Sequence, residues 1–137
     1  MTNPGYSGLR KRRYERANET IEEILVKTAR LDDILSKDFE IRFVKIDVEG
    51  AELQVLRGAR ETIRRWNPVI VFEHGLGAAD YYQTAPEDVF DLLSNDCGLR
   101  CFTMQDWLED SNKKSLRREE FSDEFRSGRH FYFLAAR

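Results

Sequence analysis

A chain of 137 residues with 41% hydrophobic and 12% aromatic content fits one domain with a real core and excludes disorder throughout. Its net charge of -3 argues against a dedicated nucleic-acid binder, which carries a strong net positive field. No run approaches the roughly 20 apolar residues of a membrane span, and the opening Met1-Thr2-Asn3-Pro4-Gly5 is unlike a signal peptide, so a soluble cytoplasmic protein without membrane contact is expected.

In chain order, Leu9-Arg10-Lys11-Arg12-Arg13-Tyr14-Glu15-Arg16 places five cations in eight residues, and residues 1–20 read as a basic, solvated and mobile segment. Ile24, Val26 and Thr28 alternate as in a strand, although Ile21, Leu25 and Thr28 also fit a helical face; a short strand near 23–28 is predicted. Leu31-Asp32-Asp33-Ile34-Leu35 reads as a single helical turn with its acids outward. Residues 41–48 are nearly continuous in apolar and β-branched side chains, which suits a central parallel strand covered on both faces.

After Gly50, Leu53, Leu56, Ala59, Ile63 and Trp66 recur at spacings of three and four, one stripe of a helix running to about Trp66. Glu52 in its first turn and Arg64 and Arg65 in its last match the helix dipole. Asn67-Pro68 stops it, and Val69-Ile70-Val71-Phe72-Glu73 is a second buried strand, parallel to the first because the crossover is right-handed. Thr84-Ala85-Pro86-Glu87 has the form of a capping box, so a helix is expected from Ala85 to about Cys97. Strands follow near 99–104 and 130–135. Between them, residues 105–128 carry seven acids and five bases and read as a polar loop with a helical turn or two. The reading is a single α/β layer with strands near 41–48, 69–73, 99–104 and 130–135.

Ligands of open α/β sheets bind beyond the carboxyl ends of the strands, so the first candidates are Asp47 and Glu49. Paired carboxylates divide acid and base roles or hold a divalent cation; alternatively, Asp47 caps the next helix and Glu49 pairs with an arginine. Glu73 and His74 close the adjacent strand, and the imidazole there is either a base for a hydroxyl nucleophile or a capping histidine. Gly75-Leu76-Gly77 is too incomplete for a phosphate loop. Tyr81 and Tyr82 wall a pocket or cover the core. Cys97 and Cys101 lack metal-ligand spacing, form no zinc set with His74 and His130, and read as buried, reduced thiols.

The stretches Val44-Lys45-Ile46-Asp47-Val48-Glu49-Gly50-Ala51-Glu52, Val55-Leu56-Arg57-Gly58-Ala59 and Pro68-Val69-Ile70-Val71-Phe72-Glu73, with Leu31-Asp32-Asp33 ahead of them, resemble the FkbM family of S-adenosylmethionine-dependent methyltransferases. The resemblance runs from about Asn3 to Phe90 and more loosely to the C-terminus. It implies the class I, Rossmann-like fold, a doubly wound sheet in the order 3-2-1-4-5-7-6 whose last strand is antiparallel. The strand ending at Asp47 is then the fourth and the one ending at Glu73 the fifth. It also implies O-methylation of a small-molecule or sugar hydroxyl, with Asp47 between the methyl of the cofactor, S-adenosylmethionine, and the substrate; Glu49, Glu52 and Glu73 belong to the same motifs. By the resemblance Asp47 is catalytic and lies against the cofactor; His74 as a catalytic base and Glu49, Glu73 and Tyr81 around the substrate are read from their place beside the same crevice, not from the family pattern.

The chain departs from the family pattern before residue 41, where no strand followed by Gly-x-Gly and no acidic residue for the cofactor ribose is found. The resemblance is therefore to the C-terminal half, a truncated enzyme lacking the main cofactor-binding part. Strand 41–48 then becomes a hydrophobic edge, and such edges pair with other chains. A homodimer through residues 41–48 is expected, and a non-catalytic module that binds a partner through this edge is the competing expectation.

Overall fold

The computed structural model describes residues 7–11, 21–110 and 114–137. Four runs rich in β-branched and aromatic side chains pair into one sheet: β1 (Phe43–Ile46), β2 (Val69–Glu73), β3 (Arg100–Thr103) and β4 (Tyr132–Ala136). Their order is β1-β2-β4-β3. β1 and β2 are parallel, with Phe43 opposite Val69 and Ile46 opposite Phe72, whereas β4 runs antiparallel to both β2 and β3. The carboxyl ends of β1, β2 and β3 and the start of β4 therefore lie at one end of the sheet.

Strand side chains alternate between faces, and this parity decides what is buried. Val44, Ile46, Ile70, Phe72, Phe133, Ala135 and Cys101 share one face. Against it pack Leu53 and Leu56 of α2 (Glu52–Gly58), Ile63 of α3 (Arg60–Trp66), Val89 of α4 (Pro86–Asp91) and Phe121 of α6 (Arg118–Ser127). Phe121 stands 4.6 Å from Phe133 ring to ring, and each such aromatic contributes about 1.5–3 kcal/mol by leaving water. The opposite face carries Phe43, Lys45, Val71, Glu73, Phe102, Tyr132 and Leu134. There α5 (Met104–Glu109) covers Phe102 and Leu134, its Trp107 edge-on to Phe102 at 4.9 Å. On the β1 side of that face, Phe43 stays 60% exposed.

Several expectations are corrected. Residues 23–28 form no strand; Ile24, Leu25 and Val26 are exposed, because no described strand runs beside them to satisfy their backbone. The first strand, Phe43–Ile46, is shorter than 41–48, and past it the chain turns at Glu49 and Gly50, which take left-handed backbone angles. The single helix to Trp66 is broken at Ala59 into α2 and α3. Gly58 weakens the helix there, and the Asp32 carboxylate, on α1 (Leu31–Ile34), accepts the amides of Glu61 and Thr62 at 3.1 and 2.9 Å, starting a new helix.

No capping box forms at Thr84. Its hydroxyl oxygen is buried without a partner among the described residues, Glu87 pairs with Arg126, and α4 begins at Pro86, whose missing amide suits a first helical position. The polar loop expected over 105–128 is largely α5 and α6. Thr103 Oγ1 accepts the Asp106 amide at 3.0 Å to cap α5, and Phe121 and Phe125, four apart, anchor α6 in the core. The described part of the basic segment is residues 7–11; residues 1–6 and 12–20 lie outside the described residues.

Candidate functional site

The site grows from the turn that follows β1. Asp47, the first residue past the strand, takes an ion pair from Lys45 Nζ at 2.9 Å on the open sheet face, and hydrogen bonding to Asp47 raises the Lys45 pKa. Glu49 then adopts φ +56° and Gly50 φ +103°. The paired Asp47 and Glu49 therefore do not share an extended strand. Gly50 is obligatory: a Cβ there would lie 2.3 Å from the Ala78 carbonyl oxygen.

Glu52 holds this turn. Its side chain is buried, Oε1 accepts the Gly50 amide at 2.8 Å, and Oε2 lies 3.4 Å from His74 Nδ1. One carboxylate thus ties the end of β1 to the end of β2. His74 was expected to face the crevice as a base, and the structure corrects this. Residue 74 has the parity of Ile70 and Phe72, so its ring turns into the core, 1% exposed and 4.6 Å from the Phe125 ring. Its Nε2 has no hydrogen-bond partner among the described residues.

Glu49 and Glu73 do come together. With Gly50, Glu52, Gly75 and Phe131 they line a cleft of about 30 Å³ at the strand ends, room for one or two waters or a single hydroxyl. Asp47 stands outside that lining. Tyr81 does also: it sits in a 3-10 turn, Ala79–Tyr82, where its carbonyl accepts from Arg10 Nη1 at 2.9 Å while the Arg10 guanidinium lies 5.1 Å over the Tyr82 ring.

The aromatic wall, Phe131, and the buried pair of Glu52 and His74 were not foreseen. Parity counted from Phe72 would have turned His74 inward, but nothing local marks Phe131 as a wall. No set of three His, Cys, Asp or Glu side chains gathers to hold a metal among the described residues. Cys97 and Cys101 are free, buried thiols, and desolvation pushes Cys101 up to about 12. No helix among the described residues is long and apolar enough to cross a membrane.

S-adenosylmethionine does not fit this cleft by itself, because a cofactor of that size needs a pocket of several hundred Å³ (about 300 or more). The described residues thus form part of a donor site at most. No curated protein and no solved structure matches the chain. The Methyltransferase FkbM domain model matches residues 2–101, a span that includes β1, the Gly50 turn, Glu52, β2 and His74. The chain accordingly belongs to the FkbM methyltransferase domain family.

Proposed function

We propose that this chain is the acceptor-side part of an S-adenosylmethionine-dependent methyltransferase that methylates a hydroxyl of a small molecule or sugar. The observation that carries the reading is the carboxylate-lined cleft at the carboxyl ends of parallel strands β1 and β2, inside the family-matched span. That is where open α/β sheets bind ligands. The order β1-β2-β4-β3, with only the last strand reversed, supports a class I, Rossmann-like arrangement in which these are the fourth, fifth, seventh and sixth strands.

In this reading Glu49 and Glu73 orient the acceptor hydroxyl, and a carboxylate of the pair takes its proton. Asp47, just past β1 on the same side as Lys45, borders the methyl donor. His74 is a positioning residue: through Glu52 it fixes the Gly50 turn that carries Glu49. Tyr81 acts at one remove, its loop held by Arg10 beside the same turn. S-adenosylmethionine supplies the methyl group in this family's chemistry, and the remainder of its pocket comes from additional chain beside the open edge of β1. A second reading, a non-catalytic module that pairs through that edge, is favoured by the exposure of Phe43.

Amide spectra of the ¹⁵N-labelled chain under titration with millimolar S-adenosylmethionine separate the two. The methyltransferase reading predicts weak binding with shifts confined to residues 47–52 and 73–78, reduced at least tenfold by Asp47→Asn. Unmoved amides at the Gly50 turn would leave the interaction module as the better account.

A further inference from the structure

The carboxylate cleft holds a hydroxyl but not the molecule that bears it. A second, larger depression of about 490 Å³ opens beside it, between α5 and the start of β4, within the size range of small-molecule pockets, roughly 300–1,000 Å³. Met104, Leu108, Phe131 and Tyr132 supply its apolar lining. Leu108 is 75% and Tyr132 54% exposed, large apolar surface left in water.

We propose that this groove is the acceptor subsite and that it takes the uncharged, mainly apolar ring portion of an alcohol; the assignment rests on the methyl-acceptor reading above. Three observations converge. First, groove and cleft share a wall: Phe131 lines both, and its ring stands against Gly75 so closely that a Cβ there would lie 2.6 Å from Phe131 Cδ1. Second, Tyr132 pairs with Glu73 across β2 and β4, so the groove floor and a carboxylate of the cleft occupy one row of one sheet face.

Third, the polar groups of the rim are already hydrogen-bonded. Arg129 Nη2 donates to Glu124 at 2.8 Å, His130 Nδ1 meets the same carboxylate at 2.8 Å, and Gln105 Nε2 donates to Glu109 at 2.9 Å. A charged ligand would have to break these contacts, whereas an apolar ring displaces only water.

The test uses the ¹⁵N-labelled chain with two probes, 2-naphthol as an aromatic alcohol and methyl β-glucoside as a polar one, and the variant Leu108→Arg, chosen because Leu108 is exposed and its loss spares the core. The expected result is saturable 2-naphthol shifts at residues 104–108 and 130–132, weakened at least tenfold in Leu108→Arg, with the glucoside silent there. Shifts of equal size at Ile24, Leu25 and Phe43, indifference to Leu108→Arg, or glucoside binding without naphthol binding would each overturn the assignment. The S-adenosylmethionine titration is scored on different amides, at 47–52. Naphthol in the groove with no cofactor response therefore keeps a site for an apolar ring but removes the methyltransferase reading and with it the acceptor role, and the reverse pattern removes the subsite alone.

Discussion

At the scale of single residues, two left-handed glycines near the site differ in what holds them. Gly50 needs both its left-handed backbone and the absence of a Cβ, since Ala78 carbonyl and Tyr82 crowd it; Gly77 is left-handed at φ +87° but faces open space. A strained left-handed residue costs on the order of 1–3 kcal/mol, and Gly50→Ala adds the clash to that while Gly77→Ala does not. Urea denaturation should show Gly50→Ala losing clearly more stability than Gly77→Ala; equal losses would mean that the contact with Ala78 does not constrain the turn. Asp47, Glu49, Gly50 and Glu73 were legible as a strand-end group because the sequence run itself names them. The inward turn of His74 was hidden in a parity count, and the role of Phe131 depends on a neighbour, Gly75, 56 positions away in the chain.

At the scale of elements, β2 is legible to the residue, because four apolar positions between Pro68 and Glu73 admit one answer. The break between α2 and α3 is not, since the stripe from Leu53 to Trp66 is continuous and the interruption is imposed by Asp32, distant in sequence. Asp32 accepts from the amides of Thr62 and Glu61 and from the Thr62 hydroxyl at 2.8 Å. Burial opposes its ionisation, but these donors and Arg30 outweigh it and hold the Asp32 pKa below the ordinary aspartate value. A carboxyl depressed in the folded state stabilises fully above its unfolded pKa, about pH 4, and loses that contribution as pH falls through the folded value. Asp32→Ala should therefore cost about 1–2 kcal/mol at pH 7, the usual worth of a cap. The difference from wild type should shrink on acidification; a constant difference across pH would show that the charge is not what caps α3. α6 was missed for the opposite reason: seven acids and five bases over 105–128 mask the pair Phe121 and Phe125, whose spacing of four is the helical signal.

At the scale of the whole molecule, the sheet is finished on one side and open on the other. The outer edge of β3 is met by Leu116, whose amide donates to the Cys101 carbonyl at 2.8 Å, but β1 ends the described sheet with Phe43 exposed, and the apolar run at Ile24, Leu25 and Val26 is also exposed. β1 presents an unpaired edge among the described residues, and exposed strand edges recruit further strands, so we propose a homodimer through residues 41–48 for the chain alone. Light scattering at tens of micromolar (roughly 10–50 µM, where modest edge pairing is populated) should give a mass above 16.1 kDa that Phe43→Pro, which removes an amide facing the open edge rather than β2, returns to the monomer. A monomeric wild type would remove the pairing.

In the proposed reading the donor is enclosed only with further chain at the open edge, and the acceptor side is the carboxylate cleft and the apolar groove that share Phe131. The measurement that reaches this claim most directly is the magnetisation transfer between two bound ligands, S-adenosylmethionine and 2-naphthol, on the same sample. If the cleft joins donor and acceptor, a nuclear Overhauser effect should connect the sulfonium methyl with the ring protons flanking the naphthol hydroxyl and should disappear in Leu108→Arg. Simultaneous binding of both ligands with no such transfer would contradict the account.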